Sequence, residues 1–117
     1  MNKIKLSITG CLGRMGPQLI KSSKTVKDFK LVSLTENRII NKKVSGLKLQ
    51  LNTENAFKNA HVIIDFTIPT CTLEVLKIAS KLKKRVVIGT TGFSKKEESL
   101  IKKYSRKKPI LKLAIWV

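Results

Sequence analysis

Two unbroken apolar runs narrow the folds open to this chain. Val62-Ile63-Ile64 leads into Asp65-Phe66, and Val86-Val87-Ile88 leads into Gly89. A strand with one wet face alternates apolar and polar residues, whereas a strand apolar throughout must be covered on both faces. Segments of helical period stand between such runs. Thr70 to Lys83 carries Leu73, Leu76 and Ala79 in phase. Ser94 caps a helix that runs to about Ser105, with Glu97 and Glu98 in its first turn, where the helix dipole favours them. Upstream, Lys3 to Thr9 reads as a strand with Ile4, Leu6 and Ile8 on one face. Arg14 to Lys24 reads as a helix, with Met15, Leu19 and Ile20 in phase and Pro17 in the first turn, where a missing N–H matters least. Phe29 to Leu34 is a second strand. Asn37 to Gly46 is a polar, lysine-rich loop around Ile39-Ile40. Leu47 to Leu51 is a short strand, Thr53 to Asn59 a short helix capped by Thr53, and Pro109 to Ile115 starts a last strand. This alternation predicts an α/β fold: a Rossmann-like, doubly wound parallel sheet in one domain.

Composition bounds the function. The chain has 117 residues, 42% of them hydrophobic, enough for one domain with its own core. Cys11 and Cys71 lie sixty residues apart, with no C-x-x-C and no Cys/His cluster, so neither a metal site nor a disulfide framework is expected. No apolar run approaches the roughly 20 residues of a membrane helix, and the N-terminus lacks a signal peptide's apolar region. A cytoplasmic protein with no membrane partner is the expectation. The formal net charge of +18 pulls towards nucleic acid. The cations are nearly all lysines, however, scattered in short groups such as Lys42-Lys43, Lys83-Lys84-Arg85 and Lys102-Lys103. Aromatics make up only 5%. That pattern suits solvated helix faces better than a nucleic-acid interface.

Chemistry enters at Gly10-Cys11-Leu12-Gly13-Arg14-Met15-Gly16, between the first strand and the first helix. Glycines let the backbone turn tightly and approach a pyrophosphate, and the helix N-terminus offers unpaired N–H groups. Leu12 stands where the generic G-x-G-x-x-G has its second glycine, and a plain strand-to-helix turn is the competing reading. The fold asks for an acidic residue about 20 positions on, to hold the adenosine ribose. Glu36 stands twenty residues after Gly16, one of only seven acids; otherwise it is a surface carboxylate. Arg38 close behind is placed to pair with a 2′-phosphate, which keeps NADP open beside NAD. Asp65-Phe66-Thr67 and Gly89-Thr90-Thr91-Gly92-Phe93 close the two apolar strands at the edge where such sheets bind ligands. Their plainer readings are a cap at Asp65 and an ordinary turn at Gly89 to Gly92.

These three motifs, in this order and at these spacings, resemble the 4-hydroxy-tetrahydrodipicolinate (dihydrodipicolinate) reductase family, from Lys3 to about Lys112. The resemblance implies hydride transfer from NADH or NADPH to a cyclic dipicolinate precursor, giving tetrahydrodipicolinate on the diaminopimelate and lysine pathway. It implies that Gly10, Cys11, Leu12, Gly13, Arg14 and Met15 cradle the pyrophosphate and that Glu36 holds the ribose. Phe66 joins the cofactor site, and Gly89, Thr90 and Thr91 lie along the nicotinamide. Where the family places a basic residue directly after the acid, this chain has Asn37, with Arg38 next, which tilts the expectation towards NAD. The family continues into a second α+β domain that carries a histidine-rich catalytic segment and builds a tetramer. Here residues 1–112 read as the dinucleotide-binding domain and 113–117 as an off-family tail, as in a truncated or frame-shifted member. The only histidine, His61, reads as a strand-edge surface residue. No catalytic residue is therefore assigned. The chain alone is expected to lack reductase activity and to be a monomer prone to association, with Trp116 exposed. Two other functions stay open: a stand-alone dinucleotide-binding or sensing module, and the cofactor domain of another amino-acid-pathway dehydrogenase.

Overall fold

The computed structural model describes residues 3–105 and 110–112; the expectations for Trp116 and the 113–117 tail lie outside them. Twelve elements follow in order: β1 (Ile4–Thr9), α1 (Gly16–Thr25), β2 (Phe29–Glu36), β3 (Lys43–Val44), β4 (Leu47–Lys48), β5 (Gln50–Leu51), α2 (Glu54–Phe57), β6 (Val62–Asp65), α3 (Pro69–Leu82), β7 (Arg85–Ile88), α4 (Lys95–Ser105) and β8 (Ile110–Lys112). Six strands form one sheet in the order β5-β2-β1-β6-β7-β8, and every pairing is parallel. The chain builds outwards from β1 in one direction, then returns to build from β6 in the other. That is the strand order of dinucleotide-binding sheets, and the reversal between β1 and β6 opens a crevice at the carboxyl ends.

Each face of the sheet buries its own core. Ile8 and Leu34 pack with Ile20 of α1, Cys11 and Leu49 on one side. Ile63, Val86 and Ile88 pack with Val75, Leu76 and Ala79 of α3, and with Phe57 and Ile101, on the other. The continuous apolar runs in β6 and β7 are thus explained by cover on both faces. A bulge in β2 sets the pairing beside them. Leu6 pairs with Leu31, but Ser7 pairs with Ser33, so Val32 is the extra residue. The shift puts Leu31 and Leu34 on one face. It puts Ser33 and Thr35 beside Ser7 and Thr9, and all four are buried.

Helix ends follow local chemistry. The Thr53 hydroxyl accepts Ala56 N–H at 3.2 Å, as its cap position requires. Ser94 and Glu97 cap α4 reciprocally: Glu97 N–H donates to Ser94 Oγ at 3.1 Å and Ser94 N–H to Glu97 Oε1 at 2.8 Å. The expected strand over Leu47 to Leu51 divides instead. Ser45 and Gly46 both have positive φ (52° and 78°), the geometry of a two-residue hairpin turn, and β3 and β4 pair antiparallel across it. Leu49 then turns into the core, and β5 joins the main sheet beside β2. No helix among the described residues is long and apolar enough to cross a membrane.

Candidate functional site

The glycine loop sits at the crevice. Gly10 leaves β1 with φ +63°, and a Cβ there would stand 2.7 Å from Thr67 Cγ2, so both conformation and space require glycine. Gly13 N–H donates to Gly10 O at 2.9 Å, closing a tight turn. A Cβ on Gly16 would lie 1.9 Å from Cys11 O: α1 starts directly against the loop's main chain. Pro17 occupies the first turn, and the residue preceding the helix, Met15, makes no side-chain cap. The helix thus presents its N-terminus without a competing acceptor from its own cap residue.

Glu36, the last residue of β2, reaches back over this loop. Its Oε2 accepts Leu12 N–H at 2.7 Å. Gly10, Gly13, Arg14, Met15, Glu36 and Phe66 line one cavity of about 410 Å³, and Leu12 joins Glu36, Asn37 and Arg38 around an adjoining groove of about 520 Å³. Cys11 differs. Its side chain is buried in the core beneath the loop, so only its main chain faces the site. Burial, with Glu36 nearby, pushes its thiol up to about 11. Cys71 lines the cavity and is also pushed up by burial, with Asn37 Nδ2 against its Sγ at 3.7 Å.

The second half of the crevice is built on β6 and β7. Gly89 N–H donates to Asp65 O at 2.8 Å, and a Cβ on Gly89 would stand 2.5 to 2.6 Å from three atoms of the Phe66 ring. Gly89 therefore meets the cavity through Phe66. Thr90 is buried, and its hydroxyl accepts Thr67 N–H at 2.9 Å, while Thr91 is exposed. Any contact Thr90 makes with a ligand is thus through its main chain. His61 lies at the opposite edge, at the start of β6, where its Nδ1 accepts Lys5 N–H at 2.9 Å. Among the described residues no three His, Cys, Asp or Glu gather as a metal site.

Two features of the site are absent from the sequence reading. Asn52 is buried in the cavity wall, and its Oδ1 has no partner among the described residues. It follows β5, whose strand character the sequence blurred. Asp65 does more than cap a turn: its carboxyl is fully buried and gathers threonine hydroxyls from four segments. Only the hydroxyl-rich composition around it, at Thr9, Thr67, Thr72 and Thr90, signals this.

The family model "Dihydrodipicolinate reductase, N-terminus" matches residues 4–114. The 4-hydroxy-tetrahydrodipicolinate reductase of Pelagibacter ubique is 70% identical over 112 residues, covering 96% of this chain and 43% of that protein. The enzyme of the same name from Buchnera aphidicola is 42% identical, over 93% of this chain and 45% of its own. The chain thus spans under half the length of these relatives. Among solved structures, a dipicolinate-bound dihydrodipicolinate reductase from a Paenisporosarcina species superposes with a TM-score of 0.74 at 22% identity, over 90% of this chain and 43% of that one. The WlbA dehydrogenase of Chromobacterium violaceum, in complex with NADH and UDP-GlcNAcA, superposes with a TM-score of 0.77 at 14% identity, over 97% of this chain and 35% of that one. At these identities the two structures speak for the fold.

Proposed function

The chain belongs to the dihydrodipicolinate reductase family, at its N-terminal domain, and from that premise we propose that it binds a nicotinamide dinucleotide across the carboxyl edge of the sheet, with NAD preferred over NADP. The pyrophosphate rests on the N–H groups of the glycine loop and the start of α1, where no Cβ stands in the way at Gly10 or Gly13. The adenosine half lies on the β2 side, towards Glu36, and the nicotinamide half on the β6–β7 side, towards Gly89 to Thr91. The residues present fit such a group: glycines at the close approach, an acid at the end of β2, and an Asn52 oxygen in the cavity wall without a partner among the described residues.

The observation that carries this reading is Glu36 bonded to Leu12 N–H at 2.7 Å. A carboxylate held against the glycine loop supports this reading, because ribose hydroxyls would find an acceptor there. The same carboxylate opposes a 2′-phosphate, while Arg14 and Arg38, both exposed nearby, soften that opposition.

The relatives' names supply the wider proposal: the domain presents its cofactor for reduction of a cyclic dipicolinate precursor. Hydride would come from the dinucleotide when it is bound. This chain's residues bind it, orient it and limit water at the ring through Phe66 and Gly89. His61, at the far edge of the sheet, is not placed to protonate product. Purified 117-residue protein is accordingly expected to show no steady-state turnover.

Calorimetric titration with NADH and NADPH tests the binding. NADH is expected to bind more tightly, and Glu36→Ala to weaken NADH about tenfold, or ~1.4 kcal/mol, with a smaller loss for NADPH. Equal losses for both cofactors, or none, overturn the assignment of Glu36.

A further inference from the structure

Parallel strands β1, β6 and β7 lie side by side, and their register aligns Thr9 with Asp65 and Asp65 with Ile88. Asp65 therefore sits at the carboxyl end of the middle strand, beside the residue that precedes Gly10 and one residue short of the level of Gly89. Its carboxyl is fully buried. Hydroxyls answer it from every side. Oδ1 accepts from Thr9 and, at 2.9 Å, from Thr67; Oδ2 accepts from Thr72, in the first turn of α3, and from Thr90 at 3.4 Å. Thr72 and Thr90 also meet each other at 2.8 Å. A carboxyl group offers about four acceptor positions, and four hydroxyls face them, with the single Thr72 proton shared between Asp65 Oδ2 and Thr90 Oγ1.

The hydroxyls come from places a dinucleotide would touch separately. Thr9 leads into the glycine loop, and Thr90 belongs to the turn after β7. Leaving a buried acceptor unfilled is costly, so the segments hold their places together. We propose that Asp65 is a positioning residue: its carboxyl, through Thr9 and through Thr72 and Thr90, locks the glycine loop and the Gly89–Thr91 turn into one rigid cradle, so that both halves of a dinucleotide are held at a fixed separation. The proposal rests on the dinucleotide reading above and adds a role for a residue that need not touch the ligand.

The test uses the 117-residue chain and two probes, NADH and ADP-ribose, which lacks the nicotinamide. Both dissociation constants are measured well below the melting temperature, where a purely structural loss leaves them unmoved. Thr72→Val removes the hydroxyl that joins Asp65 Oδ2 to Thr90, and leaves the Gly89 N–H bond to Asp65 O in place. It is expected to weaken NADH about tenfold and leave ADP-ribose within about twofold, with Thr72→Ser restoring NADH binding. Thr9→Val loosens the glycine loop and is expected to weaken both ligands alike. Equal effects of Thr72→Val on the two ligands, or no effect on either, overturn the proposal. Should Thr72→Val not fold, amide exchange in the unaltered chain reads the same coupling. Protection by ADP-ribose at both Gly10–Gly13 and Gly89–Thr91 supports it, and protection confined to the glycine loop overturns it. Failure of the unaltered chain to bind either probe is a different result, and removes the dinucleotide reading together with this one.

Discussion

The Phe66 ring rests on the bare Cα of Gly89, with room for nothing larger than hydrogen. Gly89→Ala should therefore push the ring out of place and lower stability by about 1–3 kcal/mol, the usual range for overpacking. In a Phe66→Ala background Gly89→Ala should cost little, and urea unfolding of the two single variants and the double variant measures this non-additivity. The glycine was legible in the sequence as part of the turn that closes β7. Its packing partner was not, because that contact exists only once β6 and β7 are in register. Cys11 shows a similar split: its place in the loop was legible, its inward orientation was not. Burial raises its thiol from 9.0 to about 11. A group raised in the folded state contributes stability that is whole below its unfolded value and is lost as pH rises through the folded one. The linkage amounts to about 3 kcal/mol at most. Stability should thus fall between pH 9 and about 11, and Cys11→Ala should flatten that fall; urea midpoints across this interval decide it.

The large elements were legible because their signals are local. Periodic apolar residues, a proline in the first turn of α1 and the Ser94–Glu97 pair fix where helices begin, and the continuous apolar runs fix β6 and β7. The hairpin β3–β4 was not. Its strands are two residues long, and its turn, Ser45-Gly46, sits inside a lysine-rich stretch whose polarity reads as loop. The bulge in β2 escaped for another reason: it is a mismatch between two strands, which neither strand shows alone. Helix α3 ends on a residue that runs against local preference. Lys83 caps it in the left-handed region (φ 58°, ψ 42°), and Lys84 N–H closes onto Ala79 O at 2.8 Å. Glycine is the usual residue there, since a Cβ in that region costs about 1–2 kcal/mol. Lys83→Gly is expected to raise stability by about 1 kcal/mol, read as a higher urea midpoint with the slope unchanged.

Across the whole molecule, 25 basic residues face 7 acidic ones. Even if every acid were paired, eighteen positive charges would remain on a domain only 38 × 30 × 28 Å across. At 0.1 M salt the screening length is about 10 Å, so each exposed lysine feels several others. The Lys81–Glu54 bridge at 3.1 Å is exposed at both ends and offsets little of this. The fold persists because the repulsion is spread: the lysines among residues 3–103 stand at exposed or half-exposed positions, and among the described residues the only buried carboxyl is that of Asp65. Self-repulsion relaxes on unfolding, so screening it should favour the folded state. The melting temperature is expected to rise by roughly 5 °C between low salt and 0.5 M sodium chloride, equivalent to about 1 kcal/mol in a domain of this size. The rise should be gradual over that range, because screening has no binding constant. Millimolar pyrophosphate should act differently, with a saturating rise that depends on the glycine loop and is lost in Gly13→Asp. A fall with added chloride would mean that the lysines are arranged to attract more than they repel, and the charge would then be part of how the chain holds together.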